Sequence, residues 1–209
     1  RSQRGWRVLA HAHSKPLKVL PVMARGGTVQ PLADCLIAGT PKGGTSSLFE
    51  WLSHLEGMVP SVRKEINFFD RKYGHGVTWY SAHWPPHKHG LRFEATPGYI
   101  YHPQVPARVA ALLPHVQVVF LLRDPAERAF SDHTMWARQG ITSRSFKTMV
   151  YACVAAITRD GGVALQAGRV LTDVLTTDCP GSDLDNNDLC GCIENIVAKG
   201  LYAEQLRRW

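Results

Sequence analysis

The chain has 209 residues, 44% of them hydrophobic, with a formal net charge of +7 and an isoelectric point near 9.3. That length and apolar content suit one soluble globular domain with a sizeable core, and no apolar run approaches the ~20 residues of a membrane span. The positive balance asks for anionic partners; nucleic acid is set aside because neither zinc-finger spacing nor an RNP-like aromatic motif occurs, leaving an anionic nucleotide and an anionic glycan.

Residues 1–31 hold six Arg/Lys and no Asp or Glu. They read as a basic stem or linker, a composition also found in organelle transit peptides. Residues 32–209 read as the folded domain. It opens with ADCLIAGTPKGGTSSLFEW at 33–51: a short apolar strand, a Gly-rich turn, then a helix over 45–55 with Leu48, Trp51, Leu52 and Leu55 on one face. A glycine turn entering a helix presents free backbone N–H groups and a positive dipole end, so it is an anion site. Lys42, Thr45 and Ser46 add polar contacts. A Walker A loop needs lysine directly after its second glycine; Gly39 and Gly44 have that spacing, but Thr45 follows them and the lysine is Lys42. This weakens a nucleotide kinase or NTPase reading. The pattern P-K-G-G-T-S resembles the 5′-phosphosulfate loop of sulfotransferases that use PAPS (3′-phosphoadenosine 5′-phosphosulfate).

A short strand is predicted at 58–60. Then come Lys64-Glu65-Ile66-Asn67-Phe68-Phe69-Asp70 and Gly76-x-x-Trp79-Tyr80. K-E-x-x-F-F-D followed by G-x-x-W-Y resembles the heparan sulfate glucosaminyl 3-O-sulfotransferases and the N-sulfotransferase domain. That resemblance gives Glu65 as the catalytic base; should Glu65 fail that role, His75 and Asp70 are the next to test, and Phe68 and Phe69 are expected in the core. His83, His87 and His89 crowd a Pro-rich loop that lacks a second ligand cluster, so no metal is expected there. A strand over 92–95 leads into Thr96-Pro97-Gly98-Tyr99. The family carries E-K-T-P-x-Y; here Glu94 is followed by Ala95 where the family has lysine.

A helix is predicted over 105–113, stopped by Pro114. VQVVFLL at 116–122 is the clearest strand, continuously apolar and therefore expected to be central and buried on both faces. It runs into Arg123-Asp124-Pro125-Ala126-Glu127-Arg128-Ala129-Phe130-Ser131. Asp124 is a good N-cap, Pro125 suits the first helical position, and Glu127 has the spacing of a capping box. L-R-D-P-x-E-R-x-x-S matches the sulfotransferase 3′-phosphate motif, which implies that Arg123 and Ser131 hold that phosphate; an ion pair from Arg123 to Asp124 or Glu127 is the plainer alternative. A helix is predicted over 146–158 and an apolar run at 170–175. The polar loop at 178–192 holds Cys179, Cys190 and Cys192, for which a disulfide is plausible in an oxidising lumen. Its partial calcium-loop spacing lacks the required glycine, and Asp188 stands there instead. Cys35 and Cys153 look like buried small hydrophobes.

Three motifs in family order, over 31–209, make this an α/β protein with a central parallel sheet flanked by helices. The expected fold is the P-loop-like sulfotransferase fold, with its C-terminal part missing from a longer protein. The resemblance implies transfer of a sulfuryl group from PAPS to an anionic, heparan-sulfate-like glycan acceptor. Glu65 and Lys42 would be catalytic. Lys42, Gly43, Gly44, Thr45, Ser46, Arg123 and Ser131 would bind the cofactor, without a metal. It also implies a Golgi-luminal type II membrane protein, anchored by a segment ahead of this chain. A non-catalytic glycan-binding module of the same fold is the rival reading.

Overall fold

β1 (Cys35–Gly39) lies inside the sheet, and all five residues are buried, as CLIAG without a polar side chain requires. It pairs in parallel with β3 (Leu91–Ala95) on one side and β4 (Gln117–Phe120) on the other. β2 (Met58–Pro60) adds in parallel to β3, giving the order β2-β3-β1-β4. This computed structural model describes residues 32–85, 89–159 and 196–209. The basic stretch 1–31, His87, the apolar run at 170–175 and the loop with Cys179, Cys190 and Cys192 lie outside the described residues.

The expected parallel sheet is present, but β4 is not its centre. Among the described residues no strand lies beyond it, and Val119 and Leu122 are 37% and 40% exposed. An apolar run specifies a strand; which faces it buries depends on what covers it.

The first helix, α1 (Thr45–Ser53), turns a different face inward from the one expected. Leu48, Phe49 and Leu52 pack on Ile37 and Phe93, with the Phe49 and Phe93 rings 5.2 Å apart, whereas Trp51 is 65% exposed. Then follow α2 (Phe68–Arg71), a 3-10 turn at Tyr73–His75 and α3 (Gly76–Ser81). The Phe pair is core, as expected: Phe68 stacks on Tyr80 at 4.4 Å, and Phe69 meets Tyr80 and Tyr99 edge-on at 5.3 and 5.6 Å. Such aromatic pairs add about 0.5–1.5 kcal/mol each beyond area burial. A 3-10 turn (Pro97–Ile100) follows β3, and α4 (Val105–Leu112) precedes β4.

α5 (Pro125–Arg138) starts as its sequence requires, with Asp124 Oδ1 accepting from the N–H of Ala126 and of Glu127, both at 3.0 Å. The Glu127 carboxylate does not close the capping box; it turns to Arg123 instead, 3.5 Å from Nε. α6 (Phe146–Arg159) seats Met149 and Cys153 against Ala129, Trp136 and Ile196. The segment ending in α7 (Tyr202–Leu206) docks through charge and aromatic contact. Arg128, fully buried, pairs with Asp132 at 2.7 Å and donates to the Ile196 carbonyl. Trp209 meets Phe120 edge-on at 5.3 Å. No helix among the described residues is long and apolar enough to cross a membrane.

Candidate active site

The turn after β1 is built by backbone. Thr40 N–H donates to the Leu121 carbonyl at 2.8 Å, and Gly43 N–H to the Thr40 carbonyl at 2.9 Å. Only glycine fits at 43, where a Cβ would lie 2.5 Å from the Leu121 oxygen. Gly44 caps α1 with φ +98°, a left-handed conformation that favours glycine. No side chain caps α1, so its first N–H groups face outward with the positive dipole end. Thr45 is buried and Ser46 exposed at that end. Lys42 has φ +65°, and its Nζ donates to the Met135 thioether at 3.4 Å.

Arg123 stands where β4 hands over to α5. Its Nη1 donates to the Lys42 carbonyl at 3.4 Å, and its own carbonyl accepts from Tyr202 Oη at 2.9 Å. Arg123, Ser131, Arg138 and Phe130 line a cavity of about 520 Å³ that also reaches Lys42 and Met135. The plainer alternative for Arg123 is thus present as well, since the Glu127 pair is formed. Both groups are partly exposed, and pairs of that kind contribute about 0–1 kcal/mol.

On the other side of Lys42 and Met135 lies a cleft of about 530 Å³. Thr45, Ser46, Lys64, Glu65, Asp70, Arg71, Asp132 and Lys199 line it, and the loop and Glu65 therefore share one space. Lys199 Nζ is held 4.0 Å from Asp132 Oδ2 and 5.4 Å from the ring centroids of Tyr101 and Trp136. Glu65 does not sit against an apolar wall: its side chain is 49% exposed and pairs with Lys64 Nζ at 2.7 Å, while Phe68 and Phe69 point into the core. Its backbone is the unusual feature, with φ +60°, and Asn67 is at +56°. Left-handed conformations at such residues cost of order 1–3 kcal/mol and cluster at functional sites. Asp70 lines the same cleft; burial pushes its carboxyl up, opposed by the hydrogen bond from Arg71 N–H. The His75 ring lies tilted against Trp79, centroids 4.8 Å apart, and does not line the cleft.

Behind the cleft, Glu94 is fully buried, and burial pushes its carboxyl up to about 7 against the hydrogen bonds of Thr96, Tyr80 and Tyr99. Ala95, in the position of the family's lysine, is buried with Cys35, Ile37 and Phe93 and offers no polar group. Sequence reasoning missed Glu94, Met135, Arg138 and Lys199. The one signal available was for Glu94, its place as the glutamate of the E-K-T-P-x-Y pattern, because β3 also carries Arg92. Among the described residues no group of three His, Cys, Asp or Glu could hold a metal ion; His83 is buried, its Nδ1 3.0 Å from the Trp79 carbonyl.

No protein-family model matches the chain. Two mouse proteins, heparan sulfate glucosamine 3-O-sulfotransferases 3B1 and 3A1, are each 32% identical over 141 residues, which is 67% of this chain and 36% and 35% of theirs. Human heparan sulfate glucosamine 3-O-sulfotransferase 5 is 35% identical over 109 residues, 51% of this chain and 31% of its own. The chain thus spans about a third of the length of the curated relatives it matches. Among solved structures, a sulfotransferase from Alicyclobacillus acidocaldarius superposes with a TM-score of 0.58 at 20% identity, over 84% of this chain and 67% of that one. The chain has the sulfotransferase fold and, over the matched residues, is a homologue of the heparan sulfate glucosamine 3-O-sulfotransferases.

Proposed function

We propose that this protein transfers a sulfuryl group from PAPS to a hydroxyl or amine of a heparan-sulfate-like glycan in the Golgi lumen. On this reading residues 32–209 form the sulfotransferase domain and 1–31 a basic stem or linker ahead of it. The observation that carries the reading is the junction of the two cavities. Lys42 and Met135 line both, with Arg123 and Ser131 on one side and Glu65 on the other. On this reading donor-binding residues and a base would meet across one lysine.

The donor set suits a nucleotide that carries phosphate at both ends. Lys42, Gly43, Gly44, Thr45 and Ser46 would hold the phosphosulfate by an ammonium, hydroxyls and the uncapped N–H groups of α1. Arg123 and Ser131 would hold the 3′-phosphate, a guanidinium being able to grip it with two N–H groups. PAPS, when bound, would supply a sulfuryl group whose S–O bond to phosphate breaks as the acceptor attacks, the electron pair going to PAP as leaving group. Glu65 takes the proton from the acceptor hydroxyl or amine. Lys42 puts positive charge where the leaving phosphate gains negative charge. The acceptor cleft presents Lys42, Lys64, Arg71 and Lys199 beside its carboxylates, a lining that suits an anionic glycan.

The test is transfer of labelled sulfate from PAPS by the full-length protein across a panel of heparan sulfate, desulfated heparan sulfate and chondroitin. Label on a heparan-type glycan is expected. No transfer to any glycan, together with equal thermal stabilisation by PAP and ADP, would overturn the proposal.

A further inference from the structure

Glu94 does not line the cleft, yet it is wired to the turn that carries Glu65. Its carboxylate accepts from three hydroxyls: Tyr80 Oη at 2.7 Å, Thr96 Oγ1 at 2.7 Å and Tyr99 Oη at 3.2 Å. Two of these hydroxyls make further bonds. Thr96 Oγ1 accepts the N–H of Asn67 at 3.3 Å, and Tyr99 Oη accepts the N–H of Phe68 at 3.0 Å and of Phe69 at 3.3 Å. A hydroxyl has one proton and two lone pairs. Committing the proton to Glu94 leaves the lone pairs for these amides, so the carboxylate sets the polarity of both hydroxyls.

We propose, resting on the reading of Glu65 as the base, that Glu94 is a positioning residue: through Thr96 and Tyr99 it holds the 65–69 turn so that the Glu65 carboxylate faces the acceptor. The turn needs holding. Glu65 and Asn67 both have left-handed backbone, which persists only where the surroundings over-determine it. Glu65 N–H donates to the Ala95 carbonyl at 3.0 Å, next to Glu94, and Asn67 Nδ2 donates to the Glu65 carbonyl at 2.9 Å. Among the described residues the Glu65 side chain pairs only with the neighbouring Lys64, so its place is set by its backbone. A misplacement of about 1 Å can lower a rate by about 10²-fold. Tyr80 is the internal control, because it donates to Glu94 and bonds none of these amides.

Thr96→Val, Tyr99→Phe, Tyr80→Phe and Glu94→Gln would be made in the full-length protein. Each would be measured for kcat, KM for PAPS, melting temperature and hydrogen exchange at residues 67–69. Thr96→Val and Tyr99→Phe are expected to lower kcat by about tenfold or more with KM for PAPS within about twofold, and to speed exchange at 67–69 by about tenfold. Tyr80→Phe should keep kcat within about twofold even if its melting temperature falls as far. Equal kcat losses in Tyr80→Phe and Tyr99→Phe, tracking melting temperature, would reduce Glu94 to a core group and overturn the proposal. Should Glu94→Gln fail to fold, the hydroxyl variants decide. Should the wild type transfer no sulfate, the catalytic reading fails, and exchange alone decides whether Glu94 holds the turn: unchanged protection in Thr96→Val and Tyr99→Phe overturns that too.

Discussion

The two sides of Lys42 are built by different means. The proposed donor-binding elements use backbone: a turn bonded to β4, a capped start of α5 beside Arg123, and the open start of α1, which faces the cleft that Glu65 also lines. The acceptor side uses buried polar side chains: Glu94 and its hydroxyls brace a strained turn from behind. In the first, main-chain groups do the holding, across 81 positions from Thr40 to Leu121. The second joins residues about 30 positions apart in the chain and works only while water is excluded.

The largest separation of the two sides should come from Glu65→Gln. It keeps the shape but cannot take the proton, so sulfate transfer should fall by about 10²–10⁴ with PAP affinity unchanged. A loss of less than tenfold at constant affinity would move the base to Asp70, which lines the same cleft.

Acidity should reveal the acceptor side's buried group. The folded Glu94 carboxyl keeps its proton up to about pH 7, against an ordinary value of 4.5. Between those values the folded state binds more protons than the unfolded one, so stability falls as pH rises and levels off above about 7. The loss across that window is about 3 kcal/mol. Denaturant titrations from pH 4.5 to 8 should show this slope in the wild type and flatten in Glu94→Gln. The same slope in both proteins would assign it to another group.

On the donor side, Arg123→Ala should weaken PAP binding by about 1.5–3 kcal/mol, the loss of a charged hydrogen bond. It should weaken it more than Lys42→Ala does, and it should erase any preference for PAP over ADP. Calorimetric titration with both nucleotides decides this. The smallest effect should follow Glu127→Gln, which frees Arg123 from a half-exposed pair. Such pairs contribute under about 1 kcal/mol, so PAP affinity should change by less than about fivefold. A larger change would mean that Glu127 orients the guanidinium.

This contrast also governs what could be read from the chain. P-K-G-G-T-S and R-D-P-x-E-R-x-x-S are contiguous, and the glycine turn, the Asp124 cap and the helix starts follow from local chemistry. The parallel sheet was equally legible, from short apolar runs separated by helices. Glu65 was legible only by resemblance; its left-handed backbone and its exposure depend on contacts with β3 that no local pattern encodes. The place of β4 at the end of the sheet among the described residues and the outward turn of Trp51 were missed for a related reason. Hydrophobicity shows that a residue can be buried, and the neighbours decide whether it is.

The docking of 196–209 carries a consequence for how the protein withstands cutting. That segment is held by Arg128 on the Ile196 carbonyl, Lys199 beside Asp132, Tyr202 on the Arg123 carbonyl and Trp209 against Phe120. None of these contacts needs a continuous backbone between 159 and 196. A single protease nick in that interval should therefore leave two fragments that travel together on a sizing column, with both cavities still assembled. They would part only when denaturant breaks the contacts that cross between them, above all the bond from the fully buried Arg128 to the Ile196 carbonyl, which salt does not screen.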